Sequence, residues 1–194
     1  MGKYSQAGQD EFVMSQFDEG HVGTFIDIGC RLPYEINNTL MLEEKGWHGV
    51  SMDILDFSGE WQTRKTPFLI ADALHYDYNR LVDEYNLTKV VDYLSLDIEG
   101  TGLRYWALKK IIDSGYKFKV ITIEHDVYRG LGSSEREPQR KLLKDLNYVL
   151  VCSNVTLSGN PFEDWWINPK YITEDKYLRL ISDNLSSDEI LKKI

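Results

Sequence analysis

The chain has 194 residues, of which 42% are hydrophobic and 27% charged, with a formal net charge of -9. That length suits a single domain, 1–194, with a full hydrophobic core, and the composition is that of an ordinary globular protein. The acidity leaves no long-range attraction for nucleic acid or anionic lipid, and no apolar run is long enough for a membrane span.

The N-terminus, Met1 to Gln6, lacks the apolar core of a signal peptide. Cys30 and Cys152 stand far apart and fit no metal spacing, so reduced thiols in a cytoplasmic protein are expected. Residues 1–20 read as an N-terminal extension, rich in amide and acid groups from Ser5 to Glu11. Beyond them apolar runs alternate with helical patterns, the signature of βαβ units and a mostly parallel sheet. Strands are expected at His21 to Ile28, His48 to Asp53, Pro67 to Ala71, Val90 to Ile98 and Phe118 to Glu124, with two more at Asn147 to Cys152 and Asp164 to Ile167.

Helices are expected between them. Asn38 to Lys45 comes first, with Asn37 or Asn38 as its N-cap, then Asp77 to Tyr85. In the clearest helix, Thr101 to Ser114, Leu103, Trp106, Ala107 and Ile111 share one face, while Arg104, Lys109 and Lys110 lie largely elsewhere. Gly115 stops it. The polar stretch Asp126 to Glu137 follows the fifth strand, where a substrate loop, a lid or a plain surface connection would fit. Arg136 to Leu146 is the fourth helix. Residues 170–194 form a tail in which Ser186 and Glu189 resemble a capping box before a helix at Ile190 to Ile194.

The first two strand ends carry the main chemical signal. One apolar run ends in Asp27-Ile28-Gly29, and the next ends in Asp53, 24 residues after Gly29. In an open α/β sheet a nucleotide sits at this edge, with the glycine permitting close backbone approach and the acid accepting from ribose hydroxyls. Asp72, after the third strand, is placed to face an adenine edge. The loop itself reads Gly29-Cys30-Arg31-Leu32-Pro33-Tyr34, with one glycine and no Walker A pattern. A pyrophosphate needs several free backbone N–H groups, and Pro33 removes one. A nucleoside without phosphates fits better, and S-adenosylmethionine is the obvious one.

The fourth strand exits through Asp97-Ile98-Glu99-Gly100 and the fifth through Glu124-His125-Asp126. Adjacent strands are expected to gather Asp97, Glu99, Glu124 and His125 into an acid/base cluster, with His125 or Glu99 taking the proton of a methyl acceptor. Oxygen ligands with one imidazole would equally hold Mg²⁺ or Mn²⁺, and His125 alone could be purely structural. His21, His48 and His75 form no ligand pair, and no Gly-x-Ser-x-Gly elbow is present.

Taken together, the motifs resemble the FkbM-type methyltransferases, a branch of the class I S-adenosylmethionine-dependent methyltransferases. The resemblance rests on Ser5-Gln6-x-Gly8-Gln9-Asp10, Phe25 to Gly29, Asn38-Thr39 with Leu42-Glu43, and Gly46-Trp47-x-Gly49. Leu94 to Gly100, Ile123 to His125 and Glu163 to Trp166 complete it, in the family's order. It implies a Rossmann-like three-layer α/β sandwich whose seven-stranded sheet is mostly parallel with the last strand antiparallel. It also implies methyl transfer, usually to oxygen, on sugars, polyketides or related metabolites.

By position, the resemblance puts Asp27 and Gly29 in the first cofactor motif, Asp53 at the ribose and Asp72 on the adenine side. Gln9 and Cys30 join this expected cofactor set. Asp97, Glu99 and His125 form the expected catalytic set and are also the metal candidates. The sequence departs from the family's pattern where the loop after Gly29 lacks a second glycine, so binding of the methionine end is expected to differ. The expected activity is O-methylation of a sugar or other small hydroxylated metabolite, without nucleic acid, by a monomer or a homo-oligomer. The alternatives are a metal-assisted transferase or hydrolase built on Asp97, Glu99 and His125, and a non-catalytic cofactor-binding module of the same fold.

Overall fold

Five strands run parallel in a computed structural model that describes residues 4–130 and 133–194: β1 (Thr24–Ile28), β2 (His48–Asp53), β3 (Phe68–Ile70), β4 (Val90–Leu96) and β5 (Lys117–Glu124). Leu131 and Gly132, inside the expected Asp126 to Glu137 loop, lie outside the described residues, as do Met1 to Lys3. β6 (Val149–Leu157) and β7 (Asn160–Ile167) form an antiparallel hairpin, and β7 inserts between β5 and β6, antiparallel to both. A two-residue β8 (Ser182–Asp183) joins the edge beside β6. The order is β3-β2-β1-β4-β5-β7-β6-β8. It is the expected mostly parallel sheet, with one short edge strand more than the seven expected. Strand order reverses between β1 and β4, which opens a crevice at their C-terminal ends.

The helices are α1 (Gln9–Ser15), α2 (Leu40–Glu44), α3 (Arg80–Tyr85), α4 (Leu103–Asp113), α5 (Ser133–Asp145), α6 (Glu174–Tyr177) and α7 (Ser187–Leu191). Side chains alternate along each strand, so the sheet feeds two cores. Ile26, Ile28, Leu94, Leu96, Ile121 and Ile123 face α3, α4 and α5. Phe25, Tyr93 and Val120 face α1, α2, α6 and α7 on the other side. No described helix is long and apolar enough to cross a membrane.

α1 and α7 both belong to this second layer. The Phe12 ring of α1 stacks on Trp165 of β7, with centroids 4.6 Å apart. Gly8, at φ +74°, lies so close to Leu191 that a Cβ there would overlap its side chain. The capping box forms as expected, with Ser186 N donating to Glu189 Oε2 at 2.9 Å. It starts α7 at Ser187, earlier than the expected Ile190, because the N-cap fixes the first turn.

α4 corrects the sequence reading. Trp106 is 57% exposed, whereas Arg104 is buried beside Ala107, Leu108 and Ile111. The buried stripe runs i, i+3, i+4, i+7 from residue 104, one position out of phase with the expected stripe. α2 also starts later than expected. Its N-cap is Thr39, and Asn37 supports it by accepting from the Thr39 N–H at 3.1 Å.

Candidate functional site

The exit of β1 lies against the exit of β4. Gly29 has φ +86°, and a Cβ there would overlap the Asp97 carbonyl oxygen. The glycine therefore serves the approach of two strand ends as well as any ligand. Its N–H donates to Met52 O at 2.8 Å, and the Asp97 N–H donates to Ile28 O at 2.9 Å. A chamber opens on each side of this junction.

The first chamber, about 320 Å³, lies over β1, β2 and the turn after β3. Met52, Ile54, Leu55, Ala71, Leu74 and Leu103 make much of its wall apolar. Asp53 and Asp72 both line it. Asp53 Oδ2 accepts from Arg31 N–H at 3.1 Å and Oδ1 from Leu55 N–H at 2.9 Å. A carboxylate has about four acceptor positions, so these two bonds fix its orientation and leave capacity for hydroxyl donors. Asp72 accepts from Leu74 N–H at 2.9 Å and pairs with His75 Nδ1 at 2.7 Å, which lowers its pKa.

The second chamber, about 250 Å³, lies over β1 and β4 and continues inward past Ser95, Thr122 and Glu163. Register explains its floor. Asp27 pairs with Ser95, Ser95 with Thr122, and Glu124 with Glu163, all on the face shared with Phe25 and Tyr93. Asp97 and Glu124 each follow in the same alternation, and both line the chamber.

The floor is acidic and largely buried. Burial pushes Asp27 up to about 6, against hydrogen bonds from Ser95 and Thr39. Burial likewise takes Glu163 up to about 8, although Gln9 Nε2 and Trp165 Nε1 donate to its Oε1 at 2.8 and 2.7 Å. Glu124 rises well above the carboxylate range through burial and then through its hydrogen bond with Asp97, with Arg104 opposing. Asp97 lies beside it as its paired carboxyl, with the side chain 45% exposed. A carboxylate of such a pair can take a proton from a bound hydroxyl.

The loop after Gly29 is anchored by side chains. Asn37 Nδ2 donates to Leu32 O at 3.2 Å, and Trp61 Nε1 donates to Arg31 O at 2.7 Å. The buried Arg64 donates to Pro33 O at 2.5 Å and to Asn37 Oδ1 at 3.2 Å. These bonds replace what a glycine-rich turn achieves through its own backbone.

Other expected site residues are dispersed. Cys30 lines the second chamber, but burial, with Asp27 and Asp53 nearby, raises its pKa and keeps it a thiol. Gln9 is buried beneath the inner end of the second chamber, away from the first. Glu99 sits at the rim with its side chain 81% exposed, 3.7 Å from Arg129.

The expected gathering of His125 with Asp97 and Glu99 does not occur. His125 is fully buried, accepts from Val127 N–H at its Nδ1, and lies 3.5 Å from Asp164. Consecutive residues leaving a strand face opposite ways, so Glu124 and His125 cannot share a side. Asp164, despite its burial, is held down at about 2 by Arg140 of α5 and by His125. Among the described residues, no three His, Cys, Asp or Glu side chains are grouped as metal ligands.

Sequence reasoning missed Arg104. Its guanidinium contacts Glu124, lies 3.1 Å from Asp126 and 2.9 Å from Glu135, and reaches Asp97 at 3.8 Å. It ties the exits of β4 and β5 to the first turn of α5. The available signal was a cation on an i, i+3, i+4, i+7 apolar stripe.

No family model matches the sequence, and no curated protein matches it. Solved structures do. A Clostridium thermocellum protein proposed as an rRNA methylase superposes with a TM-score of 0.57 at 15% identity, covering 87% of this chain and 98% of that one. The fibrillarin/Nop5p complex gives 0.53 at 14%, covering 84% and 81%. CalS11, a TDP-rhamnose 3′-O-methyltransferase of calicheamicin biosynthesis, gives 0.51 at 11%, covering 82% and 77%. At these identities the likeness is one of fold, and the chain has the Rossmann-like α/β fold of class I methyltransferases.

Proposed function

We propose that the protein is an S-adenosylmethionine-dependent methyltransferase acting on a hydroxyl of a small neutral acceptor such as a sugar. The observation that carries this reading is the pair of chambers meeting at Gly29 and Asp97, one mostly apolar with Asp53 in it, the other floored by carboxyls. Asp53 would hold the ribose hydroxyls, and the apolar wall from Ile54 to Leu55 would cover the adenine. When bound, the cofactor supplies an electrophilic methyl group on a sulfonium.

On the acceptor side the chain's own residues orient the hydroxyl and receive its proton. Ser95, Asn38 and Asp97 line the second chamber and can bond a sugar's hydroxyls. Transfer of that methyl group to the acceptor oxygen would leave the carbon–sulfur electron pair on the donor's sulfur. The hydroxyl proton passes to the Asp97–Glu124 pair. The chain's net charge of -9 argues against nucleic acid as the acceptor. The ordered motifs from Ser5 to Trp166 support placing the chain beside the FkbM-type enzymes.

Methyl-labelled S-adenosylmethionine offered with neutral sugars, and separately with RNA, tests the reading. Label in a sugar is expected. Label in RNA would contradict the proposed acceptor, and cofactor binding without transfer to a broad panel would favour the non-catalytic module.

A further inference from the structure

The loop after β1 sets a cation, Arg31, at the junction of the two chambers. Arg31 is exposed and lines both. Its φ is +49°, a left-handed conformation that a residue with a Cβ rarely adopts. The backbone is held there from both sides, with N–H donating to Asp53 and the carbonyl accepting from Trp61. Strain of this kind persists only where its surroundings fix it.

The Arg31 guanidinium has no hydrogen-bond or ion-pair partner among the described residues. The other cation lining the second chamber, Arg129, is engaged by Asp126 at 3.2 Å and by Glu99 at 3.7 Å. Glu35, Asp97 and Glu99 also line that chamber. An amino-acid moiety entering it brings an ammonium group, which these acids suit, and a carboxylate, which they repel. The loop offers few free backbone donors to that carboxylate, since Pro33 has none. A guanidinium matches a carboxylate with two parallel hydrogen bonds.

We propose that Arg31 binds the α-carboxylate of the amino-acid moiety of the methyl donor, in place of the second glycine that the loop lacks. This rests on the methyl-donor reading above and assigns a residue that reading does not use.

The test is calorimetric titration of the whole protein with S-adenosylhomocysteine and with 5′-methylthioadenosine, which keeps the adenosine and thioether but lacks the carboxylate. Arg31→Gln is expected to weaken S-adenosylhomocysteine by about tenfold or more, the scale of a lost charge-assisted bond. The same variant should leave 5′-methylthioadenosine within about twofold, because that ligand makes no such bond. Arg31→Gly accepts the left-handed backbone without strain, and is expected to match the binding loss with no fall in melting temperature. Equal weakening of both ligands, or of neither, would overturn the assignment. A wild-type protein that binds neither ligand would overturn the methyl-donor reading itself, a failure visible before any substitution is made.

Discussion

At the scale of single residues, the site is organised by which carboxyls are kept protonated. Glu163 lies in β7 between Phe162 and Asp164, fully enclosed, with burial raising its pKa to about 8. The folded protein therefore holds a proton on Glu163 between pH 4.5 and about 8 that the unfolded chain has released. The folded state binds more protons over that window, so stability falls as pH rises through it. Asp27, raised to about 6, acts in the same direction over the lower part of the window. Glu163→Gln keeps an oxygen for Gln9 and Trp165 and removes the titration. Urea denaturation of the unliganded variant is expected to show a shallower loss of stability from pH 5 to pH 8 than the wild type. An identical slope would mean that Glu163 does not carry the proton.

At the scale of elements, α4 shows how sequence patterns succeed and fail. Its C-terminal end was legible from Gly115, while Gly102 delays its start to Leu103, and β2 begins and ends where its apolar run does. The phase of its buried face was not, because Arg104 reads as a solvent-facing cation until its four acidic partners are seen. Those partners come from the exits of β4 and β5 and the start of α5, far apart in the chain. Removing one member of a buried charge network costs about 3–5 kcal/mol, since the others lose their compensation. Arg104→Met is expected to destabilise on that order at pH 7.5, measured by urea denaturation. The loss should shrink at pH 5, where the orphaned acids can take up protons. A loss independent of pH would make Arg104 a packing residue rather than the hub of these carboxyls.

At the scale of the whole molecule, the strand-end acids were legible because a parallel sheet brings the ends of β1, β2 and β4 to one rim. Asp27, Gly29, Asp53, Asp72 and Asp97 all line the two chambers there. His125 fell away because strand alternation decides facing, and proximity in sequence does not. Glu163 and Gln9 meet only because β7 inserts beside β5 and α1 closes over it, a long-range pairing with no local signature. A separate cavity near Tyr116, Tyr148 and Tyr171 lies at the opposite end of the sheet and shares no lining residue with either chamber. A crystal structure of the protein with S-adenosylhomocysteine is the most direct test of the account. It predicts ribose hydroxyls on Asp53, adenine in the apolar chamber and sulfur facing Asp97, whereas a ligand seated in the tyrosine-lined cavity, or with its ribose away from Asp53, would contradict it.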